Sequence, residues 1–338
     1  VNHHHYPERD ELPAPKTKSA PRWYKLTRVA IAILSVVFVL GSLVKDKDVL
    51  REAREIATVD IATIIAILVI YFVLHAYRFV QLIEYHCRCR IALLEWIRML
   101  VVVRFLNNLV PQLGSIHRGI ALKRDFGVSY TDYIAANLFF VWSDTLLNFL
   151  IAFVLFTLGT TKLTLFGVSA GTFLGLSSVV LVLAPVLAQR GLGLFKKPSK
   201  ILQKLAQVAD ELSDGLKDLR YMAATTAIAC ASFLLMTHVF RILLGALGTE
   251  ADMATLAVFY ALYRLTFHIN VTPGNVGIRE IAYGLLCAQA NIGMAKGLLI
   301  SAELRVLSIT VLLAIAGAVA MRQIREVWQQ RRALVKSE

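Results

Sequence analysis

Apolar runs of about 18 residues or more recur along this chain, the length an α-helix needs to cross a bilayer. Six segments read as full spans: about 26–44, 59–83, 133–158, 163–188, 221–247 and 296–320. In hydrocarbon each backbone N–H and C=O must be bonded within the chain, so such runs are read as helices. With 57% hydrophobic and 17% charged residues over 338 positions, and a mean hydropathy of +0.63, the chain is too apolar for a soluble domain of this length. About 25 polar residues rich in Pro and Lys precede the first run, which is not the layout of a secretory signal. The His3–His5 run is assigned no function.

Two further segments are interrupted. Residues 91–131 begin apolar but carry Glu95, Arg98 and Arg104, then break at "NNLVPQLGS". Residues 253–292 carry Arg264 and His268, then break at "NVTPGNVG". If both crossed once there would be eight spans, the fallback count. Six Lys and Arg lie in the stretch up to Arg28, seven in 189–220 and five after Met321, against none in 248–252. Eight plain crossings would put 189–220 outside, against the rule that basic loops face the cytoplasm. Hairpins that enter and leave by the same face repair this. The loop 45–57 then lies outside, its four basic residues matched by four acidic ones.

The expected fold is therefore an all-α polytopic membrane protein, with about six full spans and two broken or re-entrant hairpins in an inverted pseudo-repeat. Residues 1–25 form a polar tail, 26–321 a single transmembrane domain and 322–338 a basic tail. The stretch 199–220 has the spacing of an amphipathic helix on the cytoplasmic surface. The multi-pass protein is placed in the cell (inner) membrane with both termini cytoplasmic.

The breaks resemble each other. "NLVPQLGSIHRGIALKRDFGVS" (108–129) and "NVTPGNVGIREIAYGLLCAQANIGMA" (270–295) each run from Asn through Pro and Gly to a charged residue and an apolar helix. Two such matches in corresponding positions suggest a duplication; the plainer alternative is that Pro and Gly end helices at a membrane surface. Breaks at Pro111 and Gly114, and at Pro273, Gly274 and Gly277, free backbone N–H groups and start a new helix. The positive end of such a helix binds anions, phosphate especially. Arg118 and Arg279 follow within a turn, and the guanidinium fork suits phosphate. A headgroup-level anchor is the equal alternative for Arg118. Glu280 either accepts from a lipid hydroxyl or amine, or pairs with an arginine. Asn270, Arg98, Arg264, Asp144 and Arg305 complete the candidate substrate-binding set. Charges at membrane depth persist where something pairs or solvates them, and these are too many for a lipid-facing bundle.

"TPGNVGIRE" (272–280) resembles the Pro-Gly-x-x-Gly-x-x-Glu signature of the lysylphosphatidylglycerol synthase transmembrane-region family, flippase-like membrane proteins. "PQLGSIHRGIALKRDFGVS" (111–129) resembles its first motif, and the resemblance runs from about residue 25 to 325. Asp144 matches an Asp in the following helix of that family, and Arg305 an Arg in the last. Ser115 stands where an acidic residue is common, and Val141 where an Arg-x-x-Asp pattern would have Arg. The resemblance implies movement of a lipid or lipid-linked head group between leaflets. No synthetase domain is expected within these residues, and aminoacyl transfer is not assigned.

The leading function is thus a transporter, not an enzyme, that translocates a phospholipid or polyprenyl-linked lipid. No P-loop occurs, so movement is downhill, proton-coupled or partner-driven, with His268, Glu280 and Glu303 as candidate proton carriers. An intramembrane lipid-modifying enzyme is the second reading. It would need clustered nucleophile, base or metal ligands, whereas His75, His86, His117, His238 and His268 fall in separate elements. A non-transporting partner of a lipid synthase is the third. No cofactor or metal is implied, no soluble basic domain exists for nucleic acid, and Cys87, Cys89, Cys230 and Cys287 form no disulfide framework.

Overall fold

The computed structural model describes residues 37, 41, 51, 56–87, 89–110, 112–165, 167–193, 218–268 and 272–337, the side chains of 186, 188, 189, 191–193, 273 and 323–337 excepted. The expected span 26–44 apart from residues 37 and 41, the tail 1–25, most of the 199–220 helix, Pro111 and Asn270 lie outside the described residues.

In chain order the elements are α1 (Thr58–Cys87), α2 (Leu93–Leu109), α3 (Leu113–Phe126), α4 (Tyr130–Leu158), a two-stranded hairpin β1 (Thr164–Leu165) and β2 (Val168–Ser169), α5 (Ala170–Gly193), α6 (Leu219–Ala246), α7 (Met253–Leu265), a 3₁₀ turn (Pro273–Asn275), α8 (Ile278–Gln289) and α9 (Met294–Ser337). The molecule is an all-α membrane protein in which α1, α4, α6 and the first 29 residues of α9 are each long and apolar enough to cross a bilayer. These are the expected spans 59–83, 133–158, 221–247 and 296–320.

Local chemistry sets the helix ends. Ser129, Asp218 and Asp252 stand in extended conformation before α4, α6 and α7, and each side chain accepts a first-turn N–H, from Asp132, Tyr221 and Thr255 at 3.0–3.1 Å. Gly127, at φ +67°, ends α3; its N–H donates to the Lys123 carbonyl and that of Val128 to Leu122.

α7 is the centre of the bundle. Every residue from Ala254 to Ala261 is buried, and the helix packs against α4 and α6. Its 13 residues span only about 20 Å, too short to cross alone. Aromatic rings fill the surrounding core: Tyr260, Tyr263, Phe240 and Tyr283 contact one another between α6, α7 and α8. A second core gathers Phe79, Trp96, Phe139 and Phe140 between α1, α2 and α4.

One expectation needs correction. Residues 163–188 are not one span: Gly167, at φ +82°, turns the 164–169 hairpin, and the helix starts at Ala170. Through the basic residues 322–337 α9 continues in one run to Ser337. The loss of hydropathy there leaves helix propensity intact, since Arg, Gln, Lys and Ala are good helix formers. In the 91–131 segment α2 and α3 pack on each other, and in 253–292 α8, whose Tyr283 ring contacts Tyr263 of α7, packs mainly along α9. Small residues permit that approach: a Cβ on Gly297 would lie 2.7 Å from the Tyr283 carbonyl oxygen and 2.8 Å from the Gly284 Cα.

α5 carries Pro185 within its turns. Proline has no N–H for the carbonyl four residues back, that of Leu181. The Trp142 indole N–H of α4 donates to that oxygen at 2.8 Å, so the proline break and the helix contact satisfy one another.

Candidate functional site

The two breaks meet. At the first, Gln112 takes a left-handed conformation (φ +68°) and the Gly114 N–H donates to the Asn107 side chain at 2.8 Å. At the second, Gly274, Asn275 and Gly277 have φ of +59°, +55° and +83°, which explains the two glycines. α2 packs against the 3₁₀ turn, and the Asn108 side-chain oxygen lies 3.0 Å from where a Cβ on Gly274 would sit.

The second break is held from α9. Arg305 Nε donates to Glu280 Oε1 at 2.6 Å, while Nη1 and Nη2 donate to the carbonyls of Gly274 and Asn275 at 2.7 and 3.0 Å. Glu280 Oε2 accepts the Gly277 N–H at 2.7 Å, closing the start of α8. Asn275 donates to the Thr266 carbonyl, tying the turn back to the end of α7. Of the two roles open to Glu280, the structure places it in an arginine pair, with Arg305 rather than Arg279.

Asp144, in mid-α4, joins three helices. Arg78 of α1 donates to Oδ1 at 2.6 Å, and Arg264 of α7 donates to Oδ2 through Nη2 at 2.5 Å and Nε at 3.2 Å. All three side chains are buried. Both carboxylate oxygens are thus taken by guanidinium groups of this chain. His75 stands beside this group in the fields of Arg264, Asp144, Arg104 and Arg78, and His268 approaches Thr145 at 3.4 Å.

Three more arginines approach the same region. Arg118 of α3, one turn past the first break, donates to the Tyr133 hydroxyl at 2.9 Å and the Asn137 side chain at 2.8 Å. Its guanidinium also lies over the Phe79 ring, 4.5 Å from the centroid. Arg279, two residues past Gly277, stacks on Phe267 at 3.8 Å, with its Nε buried and without a hydrogen-bond partner. Arg104 of α2 lies over Phe72 at 5.1 Å, in the fields of Arg118, Arg264 and Arg279. Among the described residues none of these three forms an ion pair.

Of the expected site residues, Arg118, Arg279, Arg264, Asp144, Glu280 and Arg305 belong to this connected region. Arg98 sits on α2 six residues before Arg104, about 240° round the helix from it, and so on a different face. Two members were missed. Arg78 was hidden inside an expected span, although a charge in an otherwise apolar run is itself a signal. Arg104 was noted as an interruption without being assigned to the site. No group of His, Cys, Asp and Glu among the described residues could hold a metal ion.

A bundle of apolar spans with a buried cluster of arginines where two interrupted helices touch defines a polytopic α-helical membrane protein with a polar interior. The chain belongs to the lysylphosphatidylglycerol synthase transmembrane-region family, whose model matches residues 26–317. No curated protein and no solved structure matches it.

Proposed function

We propose that this protein carries the phosphate-bearing head group of a lipid between the leaflets of the cell membrane. The site is the arginine cluster at the two breaks, and the acyl or prenyl tails stay in the surrounding lipid. The observation that carries this reading is the trio Arg104, Arg118 and Arg279, whose guanidinium groups are stacked on aromatic rings without an ion pair among the described residues. A charge at membrane depth costs about 2.5–3.5 kcal/mol on insertion scales. A sequence that retains three such charges with no fixed counter-charge gains something from a ligand that supplies one.

Arg118 and Arg279 bind the phosphate, aided by the N-terminal ends of α3 and α8. Asp144, Glu280, Arg78, Arg264 and Arg305 hold the helices around it. The family's name places the chain in a lipid context, and transport rather than chemical turnover is the activity assigned here. In this reading the two broken elements open to opposite faces as an inverted pair, and both termini are cytoplasmic.

The test is leaflet exchange in liposomes containing purified protein, with a panel of reporter lipids. Wild type moves a phosphate-bearing reporter, while Arg118→Ala and Arg279→Ala lose that movement and stay folded. Arg124→Ala, at a surface arginine paired with Asp125, moves it at the wild-type rate. Equal exchange in all four proteins would make the breaks structural and overturn the proposal.

A further inference from the structure

We infer that the cluster selects a phosphate group bearing two or more negative charges, a phosphate monoester or diphosphate, over a singly charged phosphodiester, and that Arg104 is one of its binding residues. This rests on the breaks being a head-group site and specifies what the site takes.

The charge pattern carries the inference. Arg78, Arg104, Arg118, Arg264, Arg279 and Arg305 come from six different helices. The carboxylates paired within the group are Asp144, shared by Arg78 and Arg264, and Glu280, taken by Arg305. Both acids are therefore used before Arg104, Arg118 or Arg279 is reached. Each of these three lies over an aromatic ring, which carries no formal charge and so leaves theirs in place. The buried Nε of Arg279, without an acceptor, is a donor awaiting one.

Arg104 connects the two halves. It lies over Phe72 and Arg118 over Phe79, seven residues apart on one face of α1, and its helix α2 packs against both α3 and the 3₁₀ turn that precedes Arg279. A phosphodiester brings a single negative charge and leaves most of that excess. A phosphate monoester carries about −1.5 to −2 at neutral pH, and a diphosphate offers a second phosphate as well. Two phosphates also provide enough oxygens for forked contacts with more than one arginine.

The probes share one tail: farnesyl diphosphate, farnesyl monophosphate and methyl farnesyl phosphate, the last a phosphodiester. Inorganic pyrophosphate tests whether the group must be lipid-borne. Affinities for purified protein in nanodiscs are measured at fixed ionic strength without divalent cations, for wild type, Arg104→Gln, Arg104→Lys, Arg118→Gln, Arg279→Gln and Arg124→Gln. Farnesyl diphosphate is expected to bind at least about tenfold more tightly than methyl farnesyl phosphate. Arg104→Gln should remove most of that preference, Arg104→Lys should keep part of it, and Arg124→Gln should match wild type. Pyrophosphate binding as tightly as farnesyl diphosphate supports the charge selection with a soluble anion as its source; weak pyrophosphate binding supports it with a lipid source. Equal affinity for the diphosphate and the diester, or an unchanged preference in folded Arg104→Gln, overturns the inference. If binding of the diester still needs Arg118 and Arg279, the head-group reading survives that failure. If no probe binding depends on any of these arginines, both fall. Should Arg104→Gln not fold, the wild-type ranking and Arg104→Lys decide.

Discussion

Arg305 on α9 holds Glu280 on α8 at 2.6 Å, and the same guanidinium covers the carbonyls of Gly274 and Asn275, which lie in the 3₁₀ turn outside any α-helix. One side chain thus satisfies the acid that begins α8 and the two oxygens that the break exposes. Turning a backbone within a membrane requires such a partner, because no water is available to replace it.

Arg305→Met should therefore destabilise the protein by about 3–5 kcal/mol, the range for breaking a buried ion pair from one side. Glu280→Gln should cost less, since an amide oxygen can still accept the Gly277 N–H. The double variant should lie well short of the sum, because both changes break one contact. Denaturant unfolding in detergent measures all three. An Arg305→Met loss under about 1 kcal/mol would contradict this account of the turn.

Asp144 is the acid between Arg78 and Arg264, so the order of damage at this site is fixed by charge. Asp144→Asn leaves two buried guanidinium groups without a counter-charge, whereas Arg78→Gln leaves Asp144 still paired with Arg264. The first should be more destabilising by roughly 2 kcal/mol or more, and Arg78→Gln should partly rescue Asp144→Asn. Thermal unfolding of the two single variants and the double tests this; Arg78→Gln more damaging than Asp144→Asn would reverse the assignment.

The sequence made the scaffold legible where one local signal was enough. Four expected spans agree with helices to within a few residues, because about 20 apolar residues in a row have few other fates. Both breaks were visible in Pro111 and Gly114 and in Pro273, Gly274 and Gly277. The partners were not visible, since nothing local to Asp144 indicates that its guanidinium groups come from 66 residues before and 120 after. Val141, one turn before Asp144, leaves α4 without its own arginine there, and α1 and α7 supply two. The hairpin at 164–169 was missed because Leu163, Leu165 and Phe166 extend the apolar run across a turn marked by Gly167 alone.

Trp142 and Pro185 form a second interdependent pair. Trp142→Phe keeps the ring but removes the donor to the Leu181 carbonyl, leaving a partly buried acceptor unpaired, at about 1–3 kcal/mol. Pro185→Ala restores a backbone N–H four residues after Leu181, so in that background Trp142→Phe should cost much less. Melting temperatures of the two single variants and the double give the coupling. Strict additivity would show that the indole contact does not compensate the proline.

Two glycines of the first interrupted segment should fail for different reasons. A Cβ on Gly114 would lie 2.0 Å from the Val103 carbonyl oxygen and 2.8 Å from the Asn107 side chain, so Gly114→Ala must push α3 away from α2. Arg118 is one turn further along the same helix and moves with it, so phosphate binding should fall together with stability, by about 2 kcal/mol or more for the latter. Gly127, at the other end of α3, has nothing within 4 Å of its Cβ position but stands at φ +67°. There Gly127→Ala should cost about 1 kcal/mol from backbone strain, and Gly127→Asn less, because Asn visits the left-handed region more readily. Unfolding of all three variants, with phosphate affinity read alongside, separates a steric role from a conformational one. Gly114→Ala behaving like Gly127→Ala would show that α2 and α3 are not in the close contact on which the first half of the site depends.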